Sequence, residues 1–334
     1  MALHEKSPPS PSLSKRGTEG GILEQAGRLT RQRFGRTIQL YAPLYLSNEC
    51  IDICRYCGFS LENKITRKTL SVDDTVREAE HLLNQGFKHL LLVSGEHPRI
   101  VSPKYLKEIA NHLKPKLASL SIEVAPFVED DYRELVQAGV DGVVIYQETY
   151  DQKRYQEVHL AGPKKSFERR LQAPENAARA GVRRIGMGIL VGLSDWQEDL
   201  ARLIQHIRDM KKKYWQTEFT ISLPRLRPCA SDYEAPSPVS NEKYLQMICL
   251  VRLALPDVGI VLSTRESSEF RDQLISVGVT HMSAGSRTEP GGYLNPKEAE
   301  EQFRIEDKRT ADEVAAAISS RGYEPVWKDW ENIL

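Results

Sequence analysis

The chain has 334 residues, enough for one large α/β barrel or two ordinary domains with a substantial core. Lysine plus arginine and aspartate plus glutamate balance at 46 each, which argues against nucleic acid and against an acidic membrane surface as partners. The sequence has neither a run of roughly eighteen apolar residues nor a signal-like apolar block at its start, and its five cysteines do not suggest a disulfide framework; a soluble protein of the reducing cytoplasm is expected.

Residues 1–21, MALHEKSPPSPSLSKRGTEGG, are rich in Pro, Ser, Gly and charge and are expected to form a disordered lead, followed by one barrel domain over 22–334. Ile22, Leu23, Ala26, Leu29 and Phe34 repeat at the spacing of a helical face, with Gly35 as the stop. Leucine-rich or β-branched runs follow at 38–47, 89–94, 120–125, 142–147, 184–192, 219–224, 258–263 and 280–285. Between most of them lie segments of helical period, such as Val72, Val76, Ala79, Leu82 and Leu83, or Leu200, Leu203, Ile204, Ile207 and Met210. Near-continuous apolar strands alternating with amphipathic helices predict a parallel sheet covered on both faces. The simplest form is a TIM-type (β/α)8 barrel, with a doubly wound open sheet as the alternative. A further helix is expected over 311–320, and the two tryptophans of PVWKDW are expected to seal one end of the fold.

Polar residues gather where the strands end: Ser94-Gly95-Glu96, Gln147-Glu148, Pro224-Arg225, Ser263-Thr264-Arg265 and 283–286. In a parallel barrel these ends share one face, where active sites are built. The first strand runs straight into NECIDICRYCGFS, which places Cys50, Cys54 and Cys57 at the spacing C-x3-C-x2-C. Thiolates suit zinc, copper(I) or iron–sulfur clusters. A structural zinc needs four protein ligands, yet the loop has no histidine, and Cys229 and Cys249 are distant in sequence. Three thiolates on a cubane cluster leave one iron free to bind a second molecule.

This loop resembles that of the radical S-adenosylmethionine (SAM) superfamily. The resemblance implies a [4Fe-4S] cluster held by the three cysteines, with SAM chelated at the free iron and cleaved to methionine and a 5′-deoxyadenosyl radical. It places Tyr56 near the adenine, with packing beside the cluster as the plainer role, and gives Gly58 the task of letting the backbone pass close to inorganic sulfide. Ser94, Gly95 and Glu96 correspond to a Gly-Gly-Glu segment near the SAM amino group, with Ser94 in place of the usual first glycine. Glu148 is implied near SAM, and Arg170 is implied to neutralise its carboxylate. Either glutamate could instead cap the helix that follows.

LTRQRFG, APLYLSN, YCGFS, HLLLVSGEHP, VIYQETY, LPRLRPC, LSTRE, PGGY and PVWKDW together resemble the 2-iminoacetate synthase family. That resemblance runs from about residue 22 to the end. It implies a barrel with an N-terminal helical extension and a C-terminal helical tail. It also implies cleavage of the Cα–Cβ bond of L-tyrosine to 2-iminoacetate and p-cresol, association with thiazole synthase, and a flavodoxin- or ferredoxin-type electron donor. Family members carry a longer region ahead of LTRQRFG, so part of the usual cap is expected to be missing. Arg265 is the first choice to hold the substrate carboxylate, with Arg225 and Arg227 as rivals; each could equally form a barrel salt bridge. Ser286, with Ser222 and Ser283, is a candidate for hydrogen bonding to substrate. His97 and His159 read as surface or turn histidines, and Cys229 and Cys249 as ordinary buried thiols. The alternatives are a hydrogenase-maturation-like or tryptophan-cleaving relative, or a non-catalytic metal-cluster protein. No cysteine pair follows Cys57 at chelating spacing, which argues against the first of these.

Overall fold

All eight apolar runs form strands: β1 (Thr37–Ser47), β2 (His89–Ser94), β3 (Ser119–Glu123), β4 (Gly142–Glu148), β5 (Arg184–Ile189), β6 (Glu218–Ser222), β7 (Gly259–Leu262) and β8 (His281–Ser283). Each pairs in parallel with the next, and β8 returns to β1 through Gln39–His281, Leu40–Met282 and Tyr41–Ser283. The sheet therefore closes into a TIM-type (β/α)8 barrel, and the open-sheet alternative falls away. A short ninth strand, β9 (Glu324–Val326), runs parallel to the first residues of β1. The computed structural model describes residues 16–328 apart from positions 232 and 297. Residues 1–15 of the expected lead, and Trp330, lie outside the described residues.

The helices are α1 (Arg16–Phe34), α2 (Val72–Asn84), α3 (Pro103–Leu113), α4 (Glu129–Ala138), α5 (Gln152–Val158), α6 (Phe167–Arg179), α7 (Trp196–Lys213), α8 (Asn241–Ala254), α9 (Ser268–Leu274) and α10 (Ala311–Ser320). The first starts six residues ahead of the helix expected from Ile22. Serine, threonine or aspartate side chains cap most of the others, with capping boxes at Ser71/Asp74 and Thr310/Glu313 satisfying the first free amides. The main core lies between sheet and helices and includes Leu40, Leu44, Leu90, Leu92, Ile122 and Ile145. Each such side chain contributes about 1.5–3 kcal/mol on burial.

Near-continuous apolar strands describe only half of each strand. The alternate residues Gln39, His89, Ser119, Ser121, Thr220, Ser222 and His281 line a cavity within the barrel. Small polar groups on that face leave space that large aliphatic residues would fill. Regular strand stops at Ile189 and Ser222, short of the expected 192 and 224, although cross-strand bonds continue beyond: Leu190 donates its amide to Glu148 O at 2.8 Å, and Val191 to Pro224 O at 2.8 Å. At the opposite end Trp327 packs edge-on against Phe87, ring centres 5.3 Å apart, which is the expected sealing contact for one of the two tryptophans.

Two buried arginines secure the outer wall. Arg252 donates to Pro256 O, Val258 O and Gly278 O at 2.8–2.9 Å. Arg271 of α9 pairs with Asp307, both side chains being fully buried, and Arg309 joins Asp307 at 2.8 Å and Asp272 at 2.9 Å. The pair anchors the segment after β8, which runs across the barrel mouth.

Candidate active site

The cysteine loop is braced by its neighbours. Ile53 and Cys54 pair antiparallel with Ala161 and His159, and Gly162 passes so near Asp52 that a side chain there would strike the carboxylate. Arg67 donates to Phe59 O at 2.8 Å and Ser60 O at 2.7 Å, while Ser60 Oγ accepts from the Cys54 amide at 3.1 Å. Cys50, Cys54 and Cys57 all line one recess at the C-terminal mouth of the barrel, about 860 Å³ counted to its open rim.

Two glycines fix this wall. A side chain at Gly95 would lie 2.3 Å from Glu49 O, so the turn after β2 can meet the cysteine loop only without one. A side chain at Gly58 would lie 2.4 Å from Gln302 O. The constraint at Gly58 is thus the crossing C-terminal segment; the sulfide explanation does not account for that contact. Tyr45 Oη donates to Gln302 Oε1 at 2.8 Å, holding the segment over Cys57.

The facing wall is a charge network. Arg170, in the first turn of α6, donates through Nε to Tyr146 O at 2.7 Å and through Nη1 to Glu96 at 2.8 Å. Lys164 Nζ lies 2.8 Å from Glu148 and 3.3 Å from Glu96, and its amide donates to Asp52 Oδ1 at 2.9 Å. Glu148 has a φ of +69°, the only positive value at a non-glycine residue among those described. Such a conformation costs on the order of 1–3 kcal/mol and persists where surroundings over-determine it. Burial alone would raise the Glu96 carboxyl; Arg170 and Lys164 outweigh it and hold its pKa below the usual value. Asp52 goes the other way, pushed to about 6 by burial and by Glu96.

Tyr56 reaches His159, Oη to Nε2 at 2.7 Å. His159 Nδ1 lies 2.8 Å from Tyr155 O, which can only accept, so Nδ1 carries the proton and Nε2 accepts from the phenol. Burial, reinforced by Lys164, lowers the histidine to about 3 and keeps it neutral. His159 is fully buried, contrary to the surface reading; Tyr155 is four residues away, but Tyr56 is distant in sequence and reaches it only on folding.

The donor set fits a thiolate-held cluster. Burial drives the three thiols upward, Cys50 to about 12, with Cys57 adding to the rise at Cys50 and Cys54. Lys164 pulls both Cys54 and Cys57 back toward thiolate. Among the described residues no three His, Cys, Asp or Glu side chains form a site for a single metal ion. Cys229 Sγ lies 3.4 Å from Tyr56 O and 3.1 Å from Ser231 Oγ, beside the loop but outside the recess lining.

Of the residues singled out from sequence, Tyr56, Ser94, Gly95, Glu96, Glu148, Arg170 and Arg265 line the recess with the cysteines, as does Arg227. Arg265 stacks 3.4 Å above the ring of Phe303 and has no ion pair among the described residues. Arg225 and Ser286 are not brought there. Arg225 binds both oxygens of buried Glu266 and sits between the rings of Tyr244 and Phe270 at 5.2 and 5.3 Å. Ser286 is buried without a partner for its hydroxyl among the described residues. Sequence reasoning missed Lys164, Glu123, Asp52 and Gln302. Lys164 sits in an unremarkable PKK triplet, and only the position of Glu123 at the end of a strand gave a usable signal.

The radical SAM superfamily model matches residues 44–207, and the model of the Biotin and Thiamin Synthesis associated domain matches 222–324. The chain is 46% identical to 2-iminoacetate synthase of Escherichia coli (strain K12), the match covering 94% of this chain and 85% of that one. Among solved structures it resembles HydG, a maturase of the [FeFe]-hydrogenase, at TM-score 0.90 and 31% identity over 94% of this chain and 70% of that one. The HydG structure from Carboxydothermus hydrogenoformans gives 0.89 and 35%, covering 94% and 73%. Among the described residues no helix is long and apolar enough to cross a membrane. With the three-cysteine recess at the mouth of a closed barrel and these likenesses together, the chain belongs to the radical SAM superfamily and, within it, to the 2-iminoacetate synthase family.

Proposed function

We propose that the recess cleaves the Cα–Cβ bond of L-tyrosine, giving 2-iminoacetate and p-cresol, with the roles below divided among its own residues. The chain is a radical SAM lyase, an enzyme class that uses a [4Fe-4S] cluster and SAM. Cys50, Cys54 and Cys57 are the residues that would hold the cluster, which when bound supplies the electron that splits SAM. Glu96 would take the SAM amino group and Arg170 its carboxylate, since a guanidinium holds a carboxylate bidentately. Lys164 and Glu148 complete that wall, and Tyr56, fixed by neutral His159, borders the adenine. Arg265 would bind the carboxylate of tyrosine. Gln302 and Phe303 cover the recess and help exclude water.

The single observation carrying this reading is the convergence of three thiols, a paired acid–base wall and an unpaired arginine in one recess of a barrel with this family's sequence. Supply of 2-iminoacetate for the thiazole of thiamine, delivery to thiazole synthase, a flavodoxin- or ferredoxin-type donor and a cytoplasmic location fit the same reading. Anaerobic incubation of reduced, iron- and sulfide-loaded protein with SAM and labelled tyrosine should yield p-cresol and 5′-deoxyadenosine. Cys54→Ala should yield neither, and Arg265→Ala should give slow 5′-deoxyadenosine with little p-cresol. Release of 5′-deoxyadenosine by the unaltered protein without p-cresol would refute tyrosine as substrate, and cyanide beside p-cresol would favour the hydrogenase-maturation activity.

A further inference from the structure

Four carboxylates line the recess, and three are already engaged. Asp52 accepts the Lys164 amide, Glu148 holds Lys164, and Glu96 holds Arg170. Glu123, the last residue of β3, pairs with Val93 through its backbone, but its carboxylate forms no hydrogen bond or ion pair among the described residues. The cations show the same division. Lys164, Arg170 and Arg227 are each ion-paired, whereas Arg265 rests only on the face of Phe303. The recess therefore keeps one carboxylate and one guanidinium uncommitted.

Their placement follows from topology. Around the closed eight-stranded barrel, β3 and the end of β7 are four strands apart, so Glu123 and Arg265 project from opposite walls. Arg265 is nonetheless the charge that Glu123 feels most strongly. An α-amino acid carries an ammonium and a carboxylate on one carbon, and a site that takes it between two such residues leaves neither charge unpaired. The order of the strands also fixes direction. β3 lies between β2, whose following turn carries Glu96, and β4, which ends at Glu148, so Glu123 stands on the wall assigned to SAM.

We propose that Glu123 is a further catalytic residue of this reaction: it receives the α-ammonium of the substrate, accepts one proton from it, and presents the neutral amine to the SAM-bearing wall. This rests on the tyrosine reading above. In the step an N–H bond breaks and an O–H bond forms, giving amine and carboxylic acid; no electron moves and no other reactant is required. Burial favours the protonated acid and raises Glu123 to about 7. Glu148 adds to the rise, while Arg265, Lys164 and Arg170 oppose it. The phenols of Tyr41, Tyr45 and Tyr146 also face it and are held neutral chiefly by burial. A base matched to neutral pH suits proton transfer.

The test compares three ligands on cluster-loaded, SAM-bound protein by anaerobic calorimetry: L-tyrosine, 3-(4-hydroxyphenyl)propanoate, which lacks the amine, and L-phenylalanine, which lacks the hydroxyl. Glu123→Gln should weaken tyrosine and phenylalanine by about 30-fold or more and leave the amine-free ligand within about threefold. Iron content and SAM affinity should be unchanged, p-cresol should fall while 5′-deoxyadenosine persists, and Glu123→Asp should recover part of the loss. kcat/KM of the unaltered protein should drop as pH falls below about 7, where Glu123 takes up its proton before substrate arrives, and Glu123→Gln should lose that limb. Loss confined to the two hydroxyl-bearing ligands would place Glu123 at the phenol, and equal loss for all three would make it structural; either overturns the proposal. Unaltered protein that makes no p-cresol would refute the tyrosine reading instead, whatever the binding pattern.

Discussion

Two clusters of buried charge in this barrel use the same residue types and do opposite things. Behind β8, Arg271 and Asp307 are 0% exposed, with Arg309 adding a second cation and Ser283 O a further acceptor for Arg271. Nothing can enter, and the cluster only ties the mouth segment to α9. In the recess, Arg170, Lys164, Glu96 and Glu148 are 8–13% exposed along a shared wall, and each cation has a second neighbour within reach. Buried ion pairs by themselves do not mark function. Access, together with bonding capacity that a ligand can take over, separates the two.

The comparison can be broken most directly at Asp307. Asp307→Ala leaves Arg271 buried beside no carboxylate and should cost about 3–5 kcal/mol in denaturant unfolding. Activity per folded, cluster-loaded molecule should persist below the transition. Tyrosine cleavage lost at unchanged stability would erase the distinction. Arg170→Met should show the reverse balance: SAM affinity weaker by about 30-fold or more, but a stability loss of only about 1–3 kcal/mol. The smaller loss follows because Lys164 stays 3.3 Å from Glu96.

Taken per pH unit, the smallest expected effect lies at His159. Its folded pKa is lowered to about 3, below the usual histidine value, chiefly by burial. The unfolded chain therefore binds a proton that the folded chain refuses as pH falls from about 6.5 toward 3, and the native state loses stability across that window. His159→Gln keeps a hydrogen-bonding group and removes the titration. The stability difference between the unaltered protein and this variant should shift against the unaltered protein on acidification, by at most about 1.4 kcal/mol per pH unit. A difference constant from pH 7 to pH 4 would show that His159 is not held neutral.

Much of this was legible in the residues. Local patterning carried the strands and helices, because apolar periodicity reports directly on which face is buried. The three cysteines were legible because they lie within eight positions of one another. Polar strand ends pointed to Glu96, Glu148 and Arg265, since parallel strands in a barrel must finish on one face. Lys164 was not legible: its role depends on a loop crossing behind Asp52, and PKK reads as a solvated turn. Arg225 was ambiguous for the same reason, as no local signal announces that Glu266 takes it.

The sequence by itself determined the class of fold, the clustering of three cysteines after the first strand and the family, because each is written in residue spacing and in matches that survive without coordinates. Only the tertiary structure decided that the sheet closes, that residues such as Gln39, His89, Ser121, Thr220 and His281 line a cavity inside it, and which charges are spent on one another. Those outcomes depend on distances between residues far apart in the chain. Glu123 and Arg265 show the difference most clearly, since a charge counts as available only after every other partner in the recess has been placed.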